Sequence, residues 1–244
     1  TPTLTRPSLV KRRETDNLYL DDLAARGRIL FHDATDVHMT PSGVVTCATC
    51  HPAGGDDGIT WFIHTEGTKR KLRRTAPAWN ARAQASPFHW DGEFVEASEL
   101  VLDTIRELME GDALLVDPYA IAAYMDQVPT PPGKVLTEAS RARALRGRAV
   151  FESAGCRGCH SGASYTNNTF QSVAPASNDP DAVMEQVVVR PLAAVRARAP
   201  YLHDGRAPTL RSIHRDHNPN DTHGVTSNLS PEELEDLALY LETL

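Results

Sequence analysis

Residues 47–51 read CATCH and residues 156–160 read CRGCH, and these two segments contain all four cysteines of the chain. Two disulfides would account for the thiols but would require no histidine after each pair. A zinc site built from two C-x-x-C pairs usually closes over about 15–20 residues, whereas 105 residues separate Cys50 from Cys156. A thioredoxin-like redox pair sits near a βαβ pattern, and the sequence carries no such pattern. C-x-x-C-H is the signature of covalent c-type haem attachment. Cys47 with Cys50, and Cys156 with Cys159, would add to the porphyrin vinyl groups, and His51 and His160 would be the proximal iron ligands. With no thiol left over, the sequence predicts two covalently attached haem c groups.

Haem c is attached outside the cytoplasm, so a periplasmic or cell-surface location is expected. TPTLTRPSLVKRRETDN at the start lacks the apolar segment of a signal peptide, which suggests a mature or trimmed form. No apolar stretch approaches the roughly 20 residues that span a bilayer. The net charge of −7 excludes the broad basic surface of a nucleic-acid binder. KRKLRR at 69–74 is a local exception, expected to be a solvated loop, with docking to an acidic partner as the alternative. At 244 residues the chain is long enough for one large domain or two of about a hundred residues each.

An internal repeat favours two units. RGRILF (26–31) pairs with RGRAVF (146–151), and PFHWDG (87–92) pairs with PYLHDG (200–205), 36 and 40 residues past His51 and His160. DPYAIAAYM (117–125) resembles SPEELEDLALYL (230–241). Asp117-Pro118 and Ser230-Pro231 suit a cap followed by a first helical turn, and Ser230 with Glu233 forms a capping box. Apolar residues at helical spacing predict opening helices over 18–32 and 138–152. VMEQVVVRPL (183–192) is the best extended segment, and PTPPG (129–133) a stiff boundary. The expected fold is all-α, mainly helical with long loops, as two tandem cytochrome c-like domains at 16–128 and 137–244 joined by a linker at 129–136.

With these motifs in place the chain resembles the diheme cytochrome c peroxidase/MauG family over nearly all of residues 20–244. The likeness rests on the paired C-x-x-C-H motifs, WDG (90–92), APYLHDG (199–205) and the TL at 209–210. It implies that hydrogen peroxide reacts at haem 1, that haem 2 relays electrons, and that Trp90 bridges them. CATCHPAGGDDGITW is also similar to diheme domains that follow a β-propeller in longer chains, which would imply an upstream domain.

By the family pattern the distal ligand of haem 2 lies seven residues beyond TL, at His217, with His214 one turn away in reserve. The family's methionine or tyrosine is thus replaced, and histidine ligation favours ferric iron and a lower potential. The removable distal ligand of haem 1 falls on His64, against an open iron, and His89 is another polar group near that pocket. The family's acid/base glutamate, about 20 residues beyond the tryptophan, falls on Glu110 or Glu107. Its calcium site fits less well, because the asparagine position is Thr75 and the threonine position Arg198. His203, Arg206 and Arg198 are candidates for pairing with haem propionates.

Three functions follow as expectations. The first is a peroxidase fed by a small redox protein. The second is a MauG-like oxidase acting on a protein substrate. The third is an electron carrier in which His64 and His217 close both irons. A homodimer is compatible with each.

Overall fold

The computed structural model describes residues 20–64, 70–81, 86–173 and 180–244. It is mainly helical, with two short antiparallel ribbons. Helix α1 (Asp22–His32) begins at Asp21, whose carboxylate accepts the Ala24 N–H at 2.8 Å. The haem-motif helix α2 (Cys47–Cys50), α3 (Ala97–Asp103) and α4 (Pro118–Gln127) follow. Asp117 caps α4 through the Ala120 N–H at 3.1 Å, as its Asp-Pro pair predicts. Helices α5 (Glu138–Ser153), α6 (Leu210–Asp216) and α7 (Pro231–Leu241) complete the set. The Ser230/Glu233 capping box at the start of α7 is formed.

The repeat has a physical counterpart. Helix α1 packs on α4, and α5 packs on α7. In each pair the glycine of the RGR motif lies at the crossing. A Cβ on Gly27 would stand 1.8 Å from the Ala120 carbonyl oxygen, and one on Gly147 1.8 Å from that of Asp236. No other residue permits backbones this close. Around the first crossing Phe31, Met39, Trp79, Ile105 and Ile121 form one buried cluster. Around the second, Phe151, Leu210, Ile213, Leu237 and Leu241 form another. Gly147→Ala should therefore destabilise the protein by about 3 kcal/mol or more, the upper range for overpacking. A loss below about 1 kcal/mol in denaturant titration would show that the helices can part without cost.

Strand β1 (Thr60–His64) pairs antiparallel with β2 (Arg70–Arg74), with Thr60 opposite Arg74 and His64 opposite Arg70. The basic run is thus not a solvated loop. Arg73 and Arg74 are each 4% exposed. Arg73 Nε donates to Asp91 Oδ1 at 3.1 Å, and Arg74 Nη2 to Asp56 Oδ1 at 2.6 Å. Both carboxylates lie 18 residues away along the chain, so no local charge pattern announces them. The second ribbon pairs β3 (Phe170–Gln171) with β4 (Val187–Val188), inside the segment expected to be extended.

Candidate functional site

Both C-x-x-C-H segments close in the same way. The backbone N–H of His51 donates to the Cys47 carbonyl and that of His160 to the Cys156 carbonyl, each at 2.9 Å. Each ring is then oriented by a second backbone carbonyl: His51 Nδ1 lies 3.1 Å from Gly55 O, and His160 Nδ1 3.1 Å from Tyr165 O. A carbonyl only accepts, so the proton is fixed on Nδ1 and the lone pair on Nε2. Burial pushes both imidazoles below the ordinary histidine pKa, against the opposing effect of these carbonyls. They are therefore neutral at pH 7. This is the state and tautomer of a metal-ligating histidine whose other nitrogen is held by an acceptor. The four cysteines are half-buried and carry no disulfide.

Each motif lines a cavity. The first, ≈ 350 Å³, is bounded by Cys47, Cys50 and His51 and by mostly apolar side chains such as Phe31, Ile105 and Met109. The second, ≈ 250 Å³, is bounded by Cys156, Cys159 and His160 with Val188, Tyr201 and Leu237. Arg74, Trp90 and Arg190 line both. The Trp90 indole N–H donates to the Arg74 carbonyl at 2.8 Å, and its ring stands edge-on to His203 at 6.3 Å. The Arg190 guanidinium lies 5.7 Å over the same indole, a cation–π contact. Burial pushes Arg190 down to about 10, and no carboxylate pairs with it among the described residues. A half-buried cation facing two cavities without an anion is suited to a ligand that brings carboxylates, as haem does. Apolar walls, oriented imidazoles, paired thiols and this arginine all fit a haem in each cavity.

The remaining expected residues are placed as follows. His64 ends β1, and its side chain lies outside the described residues. Glu107 and Glu110 are exposed and absent from the lining of the first cavity. That lining instead contains His89 and Glu93, with His89 Nδ1 2.9 Å from Glu93 Oε2. His89 is a left-handed residue, φ +64°, in the turn that also carries Trp90. His203 is 2% exposed, lines the second cavity and donates from Nε2 to Ala182 O at 2.6 Å. Arg206 pairs with Asp204 and lines neither cavity. His217 caps the C-terminus of α6 outside the second cavity, whose lining holds His214 and His223. Sequence reasoning missed Arg190, Glu93 and His223. Arg198 donates to the carbonyls of Pro191 and Ala193, 2.7 Å each, so at the position considered for calcium a guanidinium already engages backbone oxygens.

The aspartates of WDG and HDG play matching roles. Burial alone would raise the Asp91 carboxyl, but hydrogen bonds from Arg73 and Lys71 leave it below the ordinary aspartate value. At Asp204 burial is likewise the largest single effect, and the Arg206 hydrogen bonds together with the neighbouring His203 and Arg206 charges outweigh it. A depressed folded pKa gives stability that is present above the unfolded value of about 3.9 and lost as pH falls through the folded value. Stability should accordingly drop below about pH 4, and Asp91→Asn/Asp204→Asn should flatten that acid limb. Parallel limbs for parent and variant would refute this assignment.

No family model matches the chain. It is 26% identical over 296 residues to the methylamine utilization protein MauG of Methylorubrum extorquens, covering 98% of this chain and 82% of that protein. Its fold matches hydrazine synthase of Kuenenia stuttgartiensis, with a TM-score of 0.75 at 21% identity over 92% of this chain and 88% of that one. A MauG-like protein associated with microbial copper homeostasis aligns with a TM-score of 0.69 at 20% identity, over 94% and 90% of the two chains. A variant of the diheme peroxidase BthA from Burkholderia thailandensis gives 0.67 at 14% identity, over 91% and 85%. The likeness to MauG over nearly the whole chain, on a fold shared with a diheme peroxidase and joined to two C-x-x-C-H cavities with one tryptophan lining both, makes this chain similar to the oxidoreductases of the diheme cytochrome c peroxidase/MauG family.

Proposed function

We propose that the protein is a periplasmic or cell-surface peroxidase with two covalently bound haem c groups, reducing hydrogen peroxide with electrons from a small redox protein. Residues 16–128 and 137–244 form the two haem units, joined by 129–136. Cys47, Cys50 and His51 hold haem 1, and Cys156, Cys159 and His160 hold haem 2. Bound haem supplies the redox-active iron. The reaction is H₂O₂ + 2 H⁺ + 2 e⁻ → 2 H₂O: the O–O bond breaks, the donor protein loses two electrons, and the protons come from solvent.

The observation that carries this reading is the position of Trp90, which lines both cavities and is fixed by its bond to the Arg74 carbonyl. A carrier with two independent haems has no use for a shared, oriented indole. Around it, Arg190 is positioned to engage haem carboxylates, and His89 with Glu93 moves protons at the first cavity. A second reading, oxidation of a protein substrate, is supported by the likeness to MauG. It differs only in where the electrons originate.

The test is the absorption and EPR spectrum of the ferric holoprotein before and after stoichiometric peroxide. Peroxide should change the haem spectrum, and reduced donor should restore it with two donor molecules oxidised per peroxide. Trp90→Phe should keep both haems yet slow donor oxidation on the order of 10²-fold, the cost of a misplaced reacting group. Haems inert to peroxide, before and after partial reduction, would leave an electron carrier. Recovery without an added donor, with oxidised residues appearing in a second protein, would favour the second reading.

A further inference from the structure

We infer that His223 is the second axial ligand of haem 2, held opposite His160 by a loop built for that purpose; the inference rests on haem attachment at CRGCH. The rings of His160 and His223 have centroids 6.2 Å apart and planes inclined by 40°. Two imidazoles on opposite faces of one iron, with metal–nitrogen bonds of about 2.0 Å and ring centres about 1.1 Å behind each nitrogen, hold their centroids roughly 6 Å apart. No hydrogen bond joins the two rings, and the His223 ring has no hydrogen-bond partner among the described residues. The spacing is therefore that of two ligands awaiting one metal.

The loop that carries His223 is over-determined. Asn218, 2% exposed, donates from Nδ2 to Gly224 O and Thr226 Oγ1, each at 2.8 Å, and to His223 O at 3.3 Å. Its Oδ1 accepts the His223 N–H at 2.9 Å. Asp221 accepts from the backbone N–H groups of Thr226 and Ser227 at 2.8 and 2.9 Å. Gly224, at φ +80°, lets the loop press on the haem peptide: a Cβ there would meet Ala154 O at 3.2 Å and Cys156 Sγ at 3.4 Å. The Val225 N–H donates to Ala154 O at 3.0 Å. One end of this loop is thus bonded to Ala154, two residues before the haem peptide, and the other follows directly on the C-cap of α6.

Neither rival histidine has this geometry. His217 caps α6 outside the cavity. His214 lines the cavity and flanks His223 at 5.6 Å, with its Nδ1 buried and unpartnered, but no ring contact brings it to His160. Paired imidazoles close the iron to peroxide and lower its potential relative to methionine/histidine ligation. Peroxide is then confined to the first cavity.

The test uses the holoprotein, with haem per chain counted by the pyridine haemochrome and ligation read from ferric EPR and the visible charge-transfer region. The parent should hold two haems and show a low-spin bis-imidazole signal. His217→Ala and His214→Ala should retain it. His223→Met should replace it with a thioether-ligated signal, gain a sulfur-to-iron charge-transfer band and raise the midpoint potential. His223→Gly should turn high-spin and regain the low-spin signal when imidazole is added. The inference is overturned if His217→Ala or His214→Ala abolishes the bis-imidazole signal, or if it survives in both His223 variants. A parent with fewer than two haems would instead bring down the underlying haem assignment.

Discussion

Glu93→Gln should lower peroxide turnover by about 10²–10⁴-fold, the usual contribution of a positioned acid/base, with both haems still bound. Heterolysis of peroxide moves a proton from one oxygen to the other, which requires a basic group at the first cavity. His89 and Glu93 both line that cavity and are 30% and 31% exposed, so the pair touches the site and bulk water together. The carboxylate accepts from Nδ1 of His89 at 2.9 Å, leaving Nε2 as the free basic nitrogen. An amide at position 93 can accept the same hydrogen bond but cannot stabilise the imidazolium formed when the proton arrives. Glu107→Gln and Glu110→Gln, both outside the cavity, should keep parent turnover. If Glu110→Gln silences the enzyme while Glu93→Gln does not, the family spacing is the better guide and the cavity lining misleads.

That contrast marks what the sequence could reveal. Caps and helices were legible because they are local: Asp117-Pro118 and Ser230 with Glu233 lie within one turn of the groups they satisfy. The repeated RGR glycines were legible as a pattern, but not as helix crossings, since their partners at Ala120 and Asp236 lie about 90 residues on. Trp90 was singled out by its WDG motif, while the arginine over it sits 100 residues later in an apolar stretch with no motif of its own. Counting from TL led to His217. The side chain that faces His160 is six residues further, across an irregular loop in which helical counting has no meaning. A signal was nonetheless present: HNPNDTHG encloses its histidine between an asparagine and a glycine, the residues that fix a tight loop. The burial of Arg73 and Arg74 left no local trace, because their carboxylates come from separate turns.

The second large effect concerns that burial. Asp56→Ala should cost about 3–5 kcal/mol of stability, the range for removing one partner of a buried ion pair. The side chains of Arg74 and Asp56 are 3% and 2% exposed and meet at 2.6 Å, so the variant strands a guanidinium beyond the reach of water. Burial itself pushes the Asp56 carboxyl up, with the Arg74 charge opposing that shift. The pair therefore does little beyond offsetting its own desolvation, and Asp56→Ala/Arg74→Met should recover most of the loss. Function should not recover in step. The backbone of Arg74 accepts from Trp90 and donates to the His203 carbonyl at 2.7 Å, so a loosened β2 shifts the indole between the two cavities even when global stability is restored. Denaturant unfolding of the two holoprotein variants, set beside donor oxidation rates, separates these effects. A single variant that loses under about 1 kcal/mol would mean that water reaches Arg74 after all. A double variant with parental rates would mean that Trp90 keeps its place without the pair.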